Sequence, residues 1–235
     1  GFPQVLICTN GLRLARPGYL DELVDAGLTG VRLSFHDHRA EQAATLADVG
    51  ASIGPRYPEV AELLLGRPDV RTHFYRIILA STIDSLPDYL RWLAERNRLG
   101  RAIDLTFGMP SMRGRLVTNP DLYPPLEGLR AQVEAAVALA VDLGFAPVVH
   151  HAPACLTPGS PERAACLHIA TEQRNALDGP REATDFEGDA RHGAACERCD
   201  AKHLGCHGLP AAYWERDATA SEAWLTPIVY ERDSA

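Results

Sequence analysis

Three cysteines near the C-terminal end of the chain have the spacing of a metal-binding motif. Cys196 and Cys199 are separated by two residues, and Cys206 follows after six more. A tight turn between the first two lets both sulfur atoms face one centre, and Gly205 and Gly208 relieve crowding around the third. Thiolates bind zinc and iron–sulfur clusters, so the spacing predicts one of these two centres.

A fourth ligand must come from outside this trio, and the sequence offers two kinds. Cys155, five residues after His150, would complete the thiolate set of a 4Fe–4S cluster. His203 or His207 would instead complete a structural zinc site. Spacing alone does not separate the two metals, and cysteines without any metal are the third alternative.

Two of the six cysteines are assigned structural roles. Cys8 lies in a predicted strand, where we expect a small buried hydrophobic side chain. Cys166 lies in an alanine-rich stretch that is predicted to be helical. No secretory signal pattern is visible, so we expect a cytoplasmic protein, in which clustered cysteines indicate a metal site and not disulfides.

The elements that must position these cysteines alternate between strands and helices. Apolar runs predict strands at 4–8, 30–35, 75–80, 102–106 and 147–150. Helical patterns between them begin at Pro17 and Ser85 and cover 38–49, 58–66 and 125–143. Strands separated by helices predict parallel βαβ units, which form a barrel or an open sheet with its reactive groups at the carboxyl ends of the strands.

The composition changes after residue 151, and this predicts two domains, 1–151 and 152–235. Residues 152–208 are rich in Pro, Gly, Cys and His and lack periodicity, so we expect the cysteines to hold this stretch in place. A tail at 213–230 carries aromatic and apolar residues that are suited to docking on the body of the protein.

The net charge and hydropathy disfavour two classes of partner. A formal net charge of −8 is unfavourable for nucleic-acid binding, and no apolar run reaches the length of a membrane span. We therefore expect neither a nucleic-acid nor a membrane partner.

Several motifs, in their order and spacing, resemble the radical S-adenosylmethionine family. Leu6–Gly11 (LICTNG) resembles the turn after the third barrel strand of that family. Gly30–Asp37 (GVRLSFHD) resembles the following strand, although one extra residue separates Ser34 from Asp37. The element around Cys155, the CxxC-x6-C motif and the aromatic residues after it resemble the auxiliary-cluster region of the SPASM or twitch type.

This resemblance implies a fold, a ligand set and cofactor contacts. The fold would be a partial parallel (β/α) barrel with an irregular, cysteine-rich C-terminal extension. The ligands of an auxiliary 4Fe–4S cluster would be Cys155, Cys196, Cys199 and Cys206. Contacts to S-adenosylmethionine would come from Thr9, Asn10 and Ser34.

The family's CxxxCxxC loop, which binds a second 4Fe–4S cluster, does not occur in this sequence. We therefore expect the chain to be the later part of a longer enzyme and to be inactive alone. In the intact enzyme, the implied reaction is reductive cleavage of S-adenosylmethionine to a 5′-deoxyadenosyl radical. This radical would abstract hydrogen from a small-molecule or peptide substrate, with an electron donor as partner. The alternative is a zinc-stabilised, non-redox binding or scaffold domain.

Overall fold

The main sheet has five parallel strands that lie side by side in the order in which the chain forms them. In the computed structural model, which describes residues 2–110, 115–164 and 190–230, the strands are β1 (Leu6–Thr9), β2 (Gly30–Ser34), β3 (Arg71–Ile77), β4 (Asp104–Gly108) and β5 (Ala146–His150). Between them lie α1 (Tyr19–Asp25), α2 (Ala40–Ala47), α3 (Arg56–Leu65), α4 (Leu86–Arg96), α5 (Arg115–Thr118) and α6 (Leu129–Asp142).

Shorter elements follow in the C-terminal part of the chain. A second sheet pairs β6 (Ala190–Arg191) with β7 (Leu209–Pro210) in antiparallel fashion. The helices of this part are α7 (Asp200–His203), α8 (Ala211–Arg216) and α9 (Ala218–Trp224). No helix in the described ranges is both long enough and apolar enough to cross a membrane.

Hydrogen bonds at both ends of β4 and β5 fix the direction of these strands. Near their starts, the Ala146 N–H donates to the Ile103 carbonyl over 3.2 Å. Near their ends, the Met109 N–H donates to the His150 carbonyl over 2.8 Å. Start pairs with start and end with end only when two strands run in the same direction. The predicted α/β class with a parallel sheet is confirmed.

The strand order distinguishes between the two predicted arrangements of the sheet. Doubly wound sheets reverse their strand order at a switch point, whereas (β/α) barrels keep chain order. The order β1-β2-β3-β4-β5 has no reversal. The sheet is therefore consistent with part of a β/α barrel, and closure of that barrel stays a prediction.

The predicted position of the third strand was wrong by four residues at its start. It was placed at 75–80, whereas β3 covers Arg71–Ile77. Its first half alternates the polar residues Arg71 and His73 with the buried residues Thr72 and Phe74. A search for a continuous apolar run misses a strand of this kind, because only one of its faces is buried.

The chain divides into two compact units, each made of three segments. Unit 1 comprises Gly1–Ile77, Asp84–Phe107 and Ala136–Pro147. Unit 2 comprises Ile78–Ile83, Gly108–Ala135 and Val148–Ala235. The domain boundary predicted at residue 151 lies inside unit 2, and the two predicted domains stay a prediction.

Unit 1 has a hydrophobic core on one side of its strands. Leu33 and Phe74 are fully buried, whereas the residues that alternate with them are half-buried. Helix α4 is joined to this side by Tyr89, whose hydroxyl donates to the Phe35 carbonyl over 3.1 Å. Alternating burial along β2 and β3 means that the sheet of unit 1 has one covered and one more open face.

The prediction that Cys8 is buried was wrong, since this side chain is exposed. Strand β1 is the edge of the sheet and pairs only with β2 among the described strands. Leu6, in the same strand, is 52% exposed. An edge strand lacks the neighbour that would bury its side chains. Cys166 lies outside the described residues.

Unit 2 is held by hydrogen bonds from aromatic side chains near the C-terminal end. The Tyr213 hydroxyl donates to the Pro124 carbonyl over 2.9 Å, and the Trp224 indole N–H donates to the Leu126 carbonyl over 3.1 Å. The ring of Tyr213 also packs edge-on against Tyr123 at a centroid distance of 5.6 Å. Through these contacts the aromatic tail packs on residues 123–126 of its own unit.

Candidate metal centre

Four cysteines of unit 2 lie in or beside short turns of the described residues. Cys155 lies in a 3-10 turn at Ala154–Leu156, five residues beyond the end of β5. Cys196 lies in another at Ala194–Arg198, and Cys199 directly precedes α7. Cys155, Cys196 and Cys199 are buried, and Cys206 is half-buried.

The four thiols influence one another electrostatically, although 41 positions separate Cys155 from Cys196. The pKa of Cys155 is raised to about 11, chiefly by burial. The neighbouring thiols of Cys206 and Cys196 also act to raise this pKa, whereas a hydrogen bond with the Thr226 backbone acts to lower it. Burial also raises the pKa of Cys196, and Cys199 and Cys206 add to the effect. Charges act in this way only between neighbouring groups, so the four thiols share one region of unit 2.

Backbone N–H groups donate hydrogen bonds to the sulfur atoms of this group. The Ala154 N–H donates to Cys206 Sγ over 3.4 Å, and the Ile228 N–H donates to Cys199 Sγ over 3.3 Å. Hydrogen bonds are stronger when the acceptor is ionised. The donors therefore suit thiolates, which is the form of cysteine that binds metals.

Local backbone turns explain how the CxxC segment brings its two cysteines together. The Cys196 N–H donates to the Gly193 carbonyl over 3.0 Å, and the Cys199 N–H donates to the Cys196 carbonyl over 3.2 Å. Gly208 has a φ of 88°, and a Cβ atom there would overlap the backbone of Arg191. Only glycine fits this position without strain, in agreement with the predicted relief of crowding near Cys206.

The stretch after α9 is fastened to the start of α7. The Asp200 N–H donates to the Ile228 carbonyl over 2.8 Å. In return, the Tyr230 N–H donates to Asp200 Oδ2 over 2.9 Å. These two bonds hold the backbone that supplies the Ile228 N–H to the Cys199 sulfur.

Arg130 is a positioning residue that sequence analysis missed. Its Nε donates to the Cys155 carbonyl over 2.9 Å, and its Nη2 donates to the Trp224 carbonyl over 2.7 Å. The guanidinium also lies 4.6 Å from the centroid of the Trp224 ring. A signal was present, because Arg130 is the single basic residue of the mostly apolar helix α6.

The choice between an iron–sulfur cluster and zinc stays a prediction. Within the described ranges, no three His, Cys, Asp or Glu side chains are grouped so as to hold a single metal ion. His203 and His207, the alternative zinc ligands, are exposed, unlike the buried thiols.

The three residues predicted to contact S-adenosylmethionine lie in unit 1. Thr9 Oγ1 accepts a hydrogen bond from the Gly11 N–H over 3.0 Å, and Asn10 Oδ1 accepts one from the Leu12 N–H over 3.3 Å. Both side chains therefore shape the turn after β1. Ser34 is half-buried at the end of β2, and its role and those of Thr9 and Asn10 in cofactor binding stay predictions.

A row of polar side chains crosses the open face of the unit 1 sheet. Cys8 is opposite Arg32, and Arg32 is opposite His73. His73 Nε2 lies 2.7 Å from Thr106 Oγ1. Burial, followed by the charge of Arg32, lowers the pKa of His73 to about 4. A neutral imidazole at this position can donate one hydrogen bond and accept another, but it carries no charge near pH 7.

Comparison with known proteins finds no matching family model, no similar curated protein and no similar solved structure. The functional argument therefore depends on the cysteine group of unit 2 and on the sheet of unit 1.

Proposed function

We propose that unit 2 holds an auxiliary 4Fe–4S cluster in an enzyme of the radical S-adenosylmethionine type. The ligands would be Cys155, Cys196, Cys199 and Cys206. The observation that supports this proposal is the electrostatic coupling among four cysteines from separate turns, three of them buried. Thiols placed in this way stay protonated, and a bound cation is what would stabilise their ionised, metal-binding form.

When bound, such a cluster supplies a site for transfer of one electron. The residues of the chain would bind it, orient it and limit its contact with water. Backbone donors such as the N–H groups of Ala154 and Ile228 stabilise negative charge on the ligand sulfurs. Stabilisation of that charge favours the reduced form, so these donors would raise the reduction potential.

Unit 1 would supply the surface on which S-adenosylmethionine and substrate meet. Its parallel strands end in the polar residues Thr9 and Ser34, and ligands of α/β folds bind at the carboxyl ends of strands. The reaction class that the resemblance implies is hydrogen abstraction by a 5′-deoxyadenosyl radical. None of these 235 residues is proposed as a ligand of the cluster that cleaves S-adenosylmethionine.

Anaerobic reconstitution with iron and sulfide tests the cluster directly. We expect a brown protein with absorbance at about 400 nm and roughly four irons and four sulfides per chain. Cys155→Ser and Cys196→Ser should each lower the iron content by more than about half, because each removes a ligand.

Cys8→Ser is the matched control, because Cys8 is exposed and lies in unit 1. It should retain the iron and the absorbance of the unaltered chain. A colourless protein that binds one zinc ion per chain would contradict the proposal and support the scaffold alternative. Equal loss of iron in the Cys8 variant would show that the iron is bound without specificity.

A further inference from the structure

A cavity of about 780 Å³ in unit 1 has three arginines among its eight lining residues. Its walls are the loop after β1 and the start of α3. The charged residues that line it are Arg13, Arg16, Arg56 and Glu59. Even with Glu22 paired to Arg16, the cations of the cavity outnumber the carboxylates by three to two, although the whole chain has a formal net charge of −8.

The three arginines differ in how they are held. Arg16 donates to both carboxylate oxygens of Glu22, over 2.9 and 3.2 Å, and its guanidinium lies 4.7 Å from the centroid of the Tyr19 ring. Arg13 and Arg56 are exposed, and within the described part of the chain their side chains make no hydrogen bond or ion pair. Two guanidinium groups of the cavity are therefore available to a ligand.

The loop that carries Arg13 is held in one conformation. Gly11 has a φ of 80°, and a Cβ atom there would lie only 2.5 Å from Leu33 Cδ1, so a side chain is excluded. The Leu14 N–H donates to the Gly11 carbonyl over 2.7 Å, and Leu14 itself is 2% exposed. Because the loop is anchored on both sides of Arg13, little ordering is needed when a ligand binds.

The opposite wall is fixed in a similar way. Arg56 is the first residue of the ten-residue helix α3, and a Cβ atom at the nearby Gly54 would overlap the backbone of Ala40. The amino end of a helix adds a partial positive charge to that of the guanidinium. Both walls thus present positive charge from a rigid backbone.

We propose that this cavity binds a small molecule with several negative charges, carried by phosphate or carboxylate groups. The planar guanidinium group donates paired hydrogen bonds to either kind of anion. The cavity also lies next to the carboxyl end of β1, where α/β folds place their ligands. The carboxylate of Glu59 repels anions, so we expect the ligand to bind beside the arginines and not to fill the whole cavity.

Isothermal titration calorimetry of the full chain tests the proposal, with pyrophosphate and citrate as separate probes. We expect saturable binding of at least one probe, and the tighter of the two identifies the anion class. Arg13→Ala and Arg56→Ala should each weaken that binding by about tenfold or more, because each removes a charged hydrogen-bond donor. Arg13→Lys and Arg56→Lys should restore part of the loss.

Arg98→Ala is the matched control, because Arg98 is an exposed arginine of unit 1 that does not line the cavity. It should leave binding unchanged within about twofold. Absence of saturable binding for both probes, or equal weakening by the Arg98 variant, would overturn the proposal. The measurement needs no metal, so its failure is distinct from failure of the cluster in unit 2.

Discussion

Unit 1 and unit 2 bury their ionisable side chains in opposite ways. In unit 1, Asp37 and Arg76 are both fully buried, and Arg76 Nη2 lies 3.8 Å from Asp37 Oδ2. Unit 2 instead gathers four cysteines, and within this group ionisation of one thiol opposes ionisation of its neighbours. Opposite charges stabilise each other inside the protein, whereas like charges need a cation from outside. We therefore expect unit 1 to be stable with its own side chains and, under the proposed function, unit 2 to gain stability from a bound cluster.

The charge network of unit 1 is completed by neighbouring residues. Arg39 donates to both Asp37 oxygens through Nε and Nη2, over 2.9 and 2.8 Å. Arg76 donates to Ser85 Oγ over 2.8 Å, and its guanidinium lies 4.2 Å from the centroid of the Tyr89 ring. Although burial acts to raise the pKa of Asp37, these arginines hold it below its ordinary value. The network joins the ends of β2 and β3 to the start of α4.

Removal of the metal centre should produce the largest difference between the two units. We expect backbone amides of 151–164 and 190–210 to exchange at least about 100-fold faster in the metal-free chain than in the reconstituted one, because metal binding and folding are coupled. Amides of β3 should change little. Hydrogen–deuterium exchange with mass spectrometry measures both regions in one sample. Equal protection of the unit 2 amides with and without metal would contradict the expectation that a metal centre stabilises this unit.

Arg76→Ala should destabilise unit 1 by about 3 kcal/mol, because it leaves the buried Asp37 carboxylate with fewer partners. Urea denaturation followed by fluorescence gives the free energy of unfolding. Arg91→Ala is the control: Arg91 pairs with Asp88 over 3.1 Å on the exposed side of α4, and its loss should cost less than about 1 kcal/mol. Similar losses in both variants would mean that the buried network adds no specific stability.

Acidification sharpens the comparison through His36 of unit 1. Burial, aided by the charge of Arg76, lowers the pKa of His36 to about 4, and the Ile77 N–H donates to its Nδ1 over 3.3 Å. The unfolded chain binds this proton near pH 6.5, and the folded chain only near pH 4. Stability is therefore fully present above pH 6.5 and falls by about 3 kcal/mol between pH 6.5 and 4.

The variant His36→Asn retains an acceptor for the Ile77 N–H but does not titrate in this range. Its free energy of unfolding should fall less steeply between pH 6.5 and 4 than that of the unaltered chain. His73 keeps part of the dependence, because its pKa is also lowered to about 4. Identical pH profiles for the variant and the unaltered chain would show that His36 takes up its proton without loss of stability.

The regular elements could be predicted from the sequence because their causes are local. Apolar runs and helical periodicity identified five strands and the helices between them, and the tight CxxC spacing identified three cysteines that interact. The exposure of Cys8 could not be predicted, because it depends on which strand forms the edge of the sheet. An apolar run has the same appearance in an edge strand as in a central one.

Long-range polar contacts lay beyond sequence analysis for a different reason. The pairing of Asp37 with Arg76 joins the loop after β2 to strand β3, and either residue alone resembles a surface charge. The bond from Arg130 to the Cys155 carbonyl has the same character. The N–H donors to the sulfur atoms leave no trace in the sequence, because every residue except proline carries one.

The main-chain origin of these donors has an evolutionary consequence for the cysteine group. Ile228 contributes to the surroundings of Cys199 through its main chain, so most replacements at position 228 would keep the hydrogen bond. The electronic environment of the sulfur is thus largely insulated from mutational drift in the tail. Because the Ile228 side chain is itself buried, packing favours another apolar residue at this position, whereas the hydrogen bond to the sulfur excludes only proline.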